Sequence, residues 1–416
     1  MGRRFTLPMM LLALAAPLAL ALAGCGTLFS DAPDEDAILD GPIAGLSRTQ
    51  LETFFAGDDR FSERFTAATG LGPVFNERSC ASCHPGDGRG HPSTNLTRFG
   101  RGDPDDPPRF DNLLALGGPQ LQDRAVPGYV PEVLPREATG ISVRGGPIVV
   151  GLGLIEAIPD TAILANADPD DRDGDGISGR ANYVAVPEFF TPLYDHHEII
   201  GGKALGRFGR KATAITLFDQ TVGAYHADMG LTTDAISRDV YNPLVGGPSG
   251  DAAPDPEVSS DVVASVVFYL RTLRPPEQQN SGDAEVQRGA TLFTQVGCAK
   301  CHVPELRSGS SPIAALSDKP VRLYSDLLLH DMGPALADNY PEGDANGREW
   351  RTTPLWGLGR VPNVLGGQAF YLHDGRARTL VEAIEAHGGE AESAKRAAFA
   401  LGADDREALL SFLRSL

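Results

Sequence analysis

Two pentapeptides carry the chemistry of this sequence, Cys80-Ala81-Ser82-Cys83-His84 and Cys298-Ala299-Lys300-Cys301-His302. Two residues between the cysteines put both sulfurs on one turn, where they can add to the two vinyl groups of a haem. The adjacent histidine then reaches the iron as its proximal ligand. Other readings explain less. A zinc site made of two C-x-x-C knuckles gives no reason for a histidine after each pair. A thioredoxin-like redox pair needs a βαβ context that neither motif has, and disulfides would leave both histidines unexplained. The repeat therefore predicts two covalently bound haem c groups, attached at Cys80, Cys83, Cys298 and Cys301, with His84 and His302 on the irons.

An iron held on one side by histidine leaves the other side to decide function. A second strong ligand makes an electron carrier, and an open position makes a catalyst. His387 is the candidate sixth ligand of the C-terminal haem. It ends the run Leu380 to His387 in register with Leu380, Ala383 and Ile384, and Gly388-Gly389 then offers a helix C-cap. A histidine on an apolar helical face is usually a satisfied core residue, but a buried haem here needs a ligand from its own domain. The rival is Met332 in Leu329-His330-Asp331-Met332-Gly333, a thioether that would raise the reduction potential. His226 or Met229 could close the N-terminal haem instead of leaving it open.

A third signal is acidic. Asp171, Asp173 and Asp175 alternate and Gly176 follows at the sixth place, the arrangement that turns hard oxygen ligands onto calcium. Asn182 stands where an EF-hand has glutamate, and no flanking helix pair is evident. The expectation is a calcium loop of another type, weighed against an acidic turn held by its own Asx hydrogen bonds.

These residues need elements to hold them. The chain has 416 residues with 36 Lys+Arg against 55 Asp+Glu, a net charge of −19 that argues against a nucleic-acid partner. Arg3 and Arg4 precede an apolar stretch from about Leu11 to Leu22, too short to span a bilayer and read as an export signal. Leu22-Ala23-Gly24-Cys25 resembles the lipobox of bacterial lipoproteins, which implies cleavage after residue 24 and lipidation of Cys25. The predicted product is exported and lipid-anchored to the cell envelope, facing the periplasm or the cell exterior. Residues 25–45 read as an acidic tether.

Beyond it a weak repeat predicts two domains, 46–274 and 284–416, joined by a Pro-rich linker. Phe75 and Phe293 each lie five residues before a first cysteine, in short helical-looking segments. The stretches Asp261 to Leu273 and Asp404 to Leu416 end alike, in F-Y-L-R-T-L and S-F-L-R-S-L. Both read as amphipathic helices. The excess length of the first domain, between Gly86 and Pro256, is rich in Gly, Pro and Asp and predicts long ordered loops.

The two C-x-x-C-H motifs come with D-G-D-G-I-S-G-R (173–180), G-R-F-G-R-K-A (206–212), L-L-H-D-M-G (328–333), T-P-L-W-G-L-G (353–359) and L-H-D-G-R-A-R-T-L (372–380). Together they resemble the bacterial di-haem oxidoreductase family, whose members carry the labels thiol oxidoreductase or peroxidase and are similar to bacterial cytochrome c peroxidases. The resemblance implies a mainly α fold of two cytochrome c-like helical domains, one haem in each. Electrons would enter at the C-terminal haem and pass to the N-terminal one, which reduces a peroxide.

In the peroxidase relatives the helix after the H-D-G-like motif carries the sixth ligand, which matches His387. Their ligand is a methionine, so histidine here implies a lower potential. Arg210 stands where an aromatic is common, implying a more polar haem environment. By the same resemblance Glu156, after Arg144-Gly145-Gly146-Pro147, is the candidate catalytic acid at the N-terminal haem, weighed against a simple charge at a segment end. The relatives also hold calcium near their haems. The partner would be a redox protein or a small electron donor. The alternative is a non-enzymatic electron-transfer lipoprotein with two six-coordinate haems. With Cys25 assigned to lipid and four cysteines to haem, none of the five is left for thiol chemistry.

Overall fold

The computed structural model describes Leu39–Leu416 together with Gly2. The export segment, Cys25 and the tether as far as residue 38 lie outside the described residues. Among the described residues no helix is long and apolar enough to cross a membrane.

Among the described residues seven helices of seven or more residues carry the frame: α1 (Arg48–Ser62), α2 (Leu217–Met229), α3 (Ser260–Thr272), α4 (Ala284–Gln295), α5 (Leu380–Ala386), α6 (Glu392–Ala400) and α7 (Ala403–Ser415). Helix exceeds strand by 34% to 12%, so the fold is helix-dominated, as the motifs implied. α1 starts on a capping box in which Ser47 Oγ accepts from Gln50 N at 3.3 Å and Gln50 Oε1 accepts from Ser47 N at 2.9 Å. α3 and α7 fall within a residue of the two stretches with matching ends.

Four of these helices form two pairs of the same design. α1 packs on α3, and α4 packs on α7. In the first pair Gly57 meets the Ser265 carbonyl and Tyr269, and in the second Gly289 meets the Ala408 carbonyl and Phe412, so closely that a methyl group would collide in either place. One turn further, Phe61 lies 5.4 Å from Tyr269 and Phe293 lies 5.2 Å from Phe412, ring centre to ring centre. Burying each such ring stabilises the frame by roughly 1.5–3 kcal/mol. Phe61, not Phe75, is therefore the counterpart of Phe293. Phe75 belongs to the short strand Val74–Phe75, which pairs antiparallel with Arg124–Ala125, so its segment is extended and the helical reading of it fails.

Apart from α2, the long middle region is built of short strands and single turns. Leu96–Gly100 pairs antiparallel with Gly140–Arg144 on one side and with Gln120–Leu121 on the other. Leu329–Asp331 pairs antiparallel with Glu349–Arg351, placing His330 opposite Trp350. Leu39–Leu416 form one compact unit. The Pro-rich linker is pinned against the end of α7, where Gln279 N donates to Ser415 O at 2.7 Å.

Candidate haem-binding sites

Each C-x-x-C-H motif folds as one tight turn. His84 N donates to Cys80 O and His302 N donates to Cys298 O, both at 3.0 Å, which sets each histidine directly over its cysteine pair. The first turn is capped by Ser79, whose hydroxyl accepts from Ser82 N at 3.2 Å. The second starts at Gly297, whose φ of 94° favours glycine.

The histidines are oriented alike. His84 Nδ1 donates to Pro147 O at 2.8 Å, and His302 Nδ1 donates to Tyr324 O at 2.9 Å. A carbonyl can only accept, so the proton sits on Nδ1 and the Nε2 lone pair is free, as an axial ligand requires. Burial pushes both imidazoles down to about 4, which keeps them neutral at pH 7. Gly146 lets the Pro147 backbone approach, since a Cβ there would press on the His84 ring. The segment Arg144 to Pro147 thus lies on the proximal side of His84.

The C-terminal turn faces a cavity of about 250 Å³, lined by His302, Cys298, Cys301, Phe293, Leu355 and Leu413 among others. His387 stands in its wall, as the C-cap of α5, with Nδ1 donating to Ala383 O at 2.7 Å and Nε2 free. Met332 and His330 line it as well. His330 has no free nitrogen: Nε2 meets Asp326 Oδ2 at 2.8 Å and Nδ1 meets Glu390 Oε2 at 2.7 Å. Although burial alone would lower it, this carboxylate pair holds the imidazole well above its ordinary value. The apolar lining, the cysteine pair and two histidines with free Nε2 atoms in one wall set fit a haem. An additional stack borders the cavity, where the rings of Trp350 and His373 lie 3.8 Å apart and 14° from parallel.

Four expected residues sit differently. Glu156 is fully buried, and both oxygens are used: Oε2 accepts from Arg271 Nε at 2.6 Å and Oε1 from Leu217 N at 2.7 Å. That is the environment of a structural ion pair, unlike that of an acid facing a reactant. His226 Nε2 donates to Arg238 O at 2.9 Å, and Met229 is buried in the apolar core. In the acidic loop, Asp168 joins Asp171 and Asp173, with carboxylate oxygens within 4.8 Å of one another. Asp175 turns away to Lys300 Nζ at 2.8 Å, because the lysine between the second pair of cysteines offers it a charge partner. The loop closes on Asx hydrogen bonds, such as Gly176 N to Asp171 Oδ1 at 3.0 Å.

Sequence reasoning had no access to the two anchoring carbonyls, which any residue could supply, nor to the Asp326–His330–Glu390 clamp. Its only signal for the clamp was His330 in L-L-H-D-M-G.

A family model described as "Di-haem oxidoreductase, putative peroxidase" matches residues 130–416, which includes the second C-x-x-C-H turn and not the first. No curated protein matches. Among solved structures, the chain is similar to hydrazine synthase of Kuenenia stuttgartiensis, in a structure pressurized with 20 bar xenon, at 15% identity over 100% of both chains and a TM-score of 0.37. It is also similar to a MauG-like protein associated with microbial copper homeostasis, at 16% identity over 93% of this chain and 94% of that one, with a TM-score of 0.38. At these scores the two likenesses add nothing to the geometry.

Proposed function

From the premise that this chain belongs to the di-haem oxidoreductase family, we propose that it carries one haem c on each C-x-x-C-H turn and reduces a peroxide with electrons from an external donor. The observation that carries this reading is the matched orientation of His84 and His302, each with Nδ1 tied to a backbone carbonyl and Nε2 free. Bound haem supplies reversible one-electron iron chemistry. Cys80 and Cys83, and likewise Cys298 and Cys301, would attach it. His84 and His302 would hold it from one side, and His387 would close the C-terminal site, with Met332 as a rival and His330 set aside because both its nitrogens are engaged.

A site closed on both sides suits electron entry, and the N-terminal site then receives electrons for the substrate. Two electrons and two protons convert a peroxide to an alcohol, or water, plus water. The product is exported, anchored through lipid on Cys25, and works with a redox protein or small donor at the cell envelope. The Asp168, Asp171 and Asp173 cluster is its calcium site, with Asp175 giving its charge to Lys300.

Electron-paramagnetic and optical spectra of the holoprotein test the catalytic reading. One high-spin iron that binds cyanide promptly is the expected result. Two low-spin irons in both redox states would overturn it and leave an electron carrier.

A further inference from the structure

Three arginines line the same cavity as His302 and His387: Arg89, Arg210 and Arg351. All three are buried. Among the described residues none of them makes an ion pair, whereas their neighbour Arg144 pairs with Asp338 and Glu342. Only backbone carbonyls hold them. Arg210 donates from Nε and Nη2 to Gly145 O at 3.2 and 2.7 Å. Arg351 donates from Nε to Gly209 O at 2.9 Å and from Nη1 to Thr352 O at 3.4 Å. Arg89 donates from Nη2 to Leu372 O, and its Nε is buried with no partner.

A guanidinium has five N–H donors and cannot readily lose its charge, so each of these side chains keeps donors in hand. Taking such a cation out of water without a counter-ion is strongly unfavourable, and these three also repel one another. Burial first, and then the charges of Arg89, Arg351 and Arg144, push Arg210 well below its ordinary value. Asp374 is the one acid that acts on both Arg89 and Arg210, and it is already paired with Arg376 at 2.7 Å. Three cations without an ion-pair partner, in the wall of the cavity that Cys298, Cys301, His302 and His387 also line, are suited to an anion that comes with the cofactor, although Arg210 also acts on His84.

We propose that Arg89, Arg210 and Arg351 receive the carboxylate side chains of the haem held between His302 and His387, anchoring it and raising its reduction potential. This rests on the proposed binding of haem at Cys298 to His302. The fork of a guanidinium matches a carboxylate, and a charge-assisted pair of this kind is stronger than one between neutral groups. Excess positive charge beside the iron favours its less positive, reduced state, and the effect is large where water is excluded.

The test is a spectroelectrochemical titration of the whole holoprotein beside Arg210→Gln, Arg351→Gln and Arg210→Lys, with the C-terminal transition identified by its change in His387→Ala. At a fixed ambient potential, each glutamine variant is expected to lower the reduced-to-oxidised ratio of the C-terminal haem about tenfold, about 59 mV for one electron. The lysine variant should recover most of it.

An unchanged C-terminal potential in variants that retain both haems overturns the proposal. So does a shift confined to the N-terminal haem. A wild-type potential that moves with added acetate, while the variants do not respond, assigns the arginines to a diffusible anion instead. If the variants fail to fold, resonance Raman spectra of the wild type decide, since free, solvated haem carboxylates would refute the pairing. Absence of covalent haem by mass spectrometry of the denatured wild type would sink the functional reading itself, an outcome separate from these.

Discussion

Behind His84 and behind His302 stand the same parts: a glycine that lets two helices touch through their backbones, a phenylalanine one turn on, and an aromatic from the partner helix. Phe61 lies 6.2 Å from His84 and Phe293 lies 6.4 Å from His302. Around that shared frame the two regions diverge. The carbonyl that orients His302 comes from Tyr324, 22 residues away, whereas the one that orients His84 comes from Pro147, 63 residues away. Three residues after each histidine stands an acid. Glu305 is exposed and pairs with Arg322, while Asp87 is buried and accepts from Tyr269 Oη at 2.8 Å. The carbonyl behind His302 thus comes from its own half of the chain, and the one behind His84 from the long insertion, while the cavity at His302 also takes Arg89, Ile177 and Arg210 from the first half. A helical frame can therefore be repeated while its use is altered by what the loops bring to it.

The largest effect expected from breaking this comparison is on haem content. Cys298→Ala with Cys301→Ala should lose one of two covalent haems, read as the mass of the denatured protein, and Cys80→Ala with Cys83→Ala should lose the other. Retention of both haems in either double variant would refute covalent attachment there. Next comes spin state. His387→Ala should turn one low-spin haem high-spin, while Met332→Ala leaves the spectrum as it was, and the reverse outcome would move the ligand to Met332.

Smaller effects fall on stability. Gly57→Ala and Gly289→Ala should each destabilise the protein by about 1–3 kcal/mol through overpacking. Equal losses in denaturant titrations would sharpen the equivalence of the two helix pairs, and a loss at one site only would break it.

The smallest is a pH slope particular to the N-terminal region. Burial pushes the Asp87 carboxyl up to about 7 from an ordinary 3.8, although the Tyr269 hydrogen bond acts the other way. Between pH 4 and 7 the folded protein then holds a proton that the unfolded chain has released, so this group's contribution falls as pH rises, by at most about 1.4 kcal/mol per pH unit. Asp87→Asn should remove that slope in unfolding measured at pH 5 and pH 7. An unchanged slope would mean that Asp87 is ionised throughout.

What could be seen in the sequence was whatever chemistry confines to a short stretch. The C-x-x-C-H turns are visible because attachment needs both sulfurs and the histidine together, and His387 is visible because a helix repeats its apolar face. The matching ends of α3 and α7 are of the same kind. Phe61 was missed because it stands much further from its cysteines than Phe293 does, with a strand between. The carbonyls of Pro147 and Tyr324 leave no trace in side-chain identity. Asp168 was passed over for Asp175 because alternation along the chain says nothing about a lysine 125 residues away. Arg210 drew notice only as a departure from an aromatic, and its company with Arg89 and Arg351 depends on contacts between distant segments.

The glycine crossings also supply a way to recognise such units in other sequences. Gly57 and Phe61 with Ser265 and Tyr269, and Gly289 and Phe293 with Ala408 and Phe412, both read as Gly-x-x-x-Phe upstream and small-x-x-x-aromatic downstream of C-x-x-C-H. Because backbone contact fixes the crossing, everything between these anchors is free to vary in length. A search that keeps the four spacings and ignores the gaps would find relatives that overall identity leaves hidden.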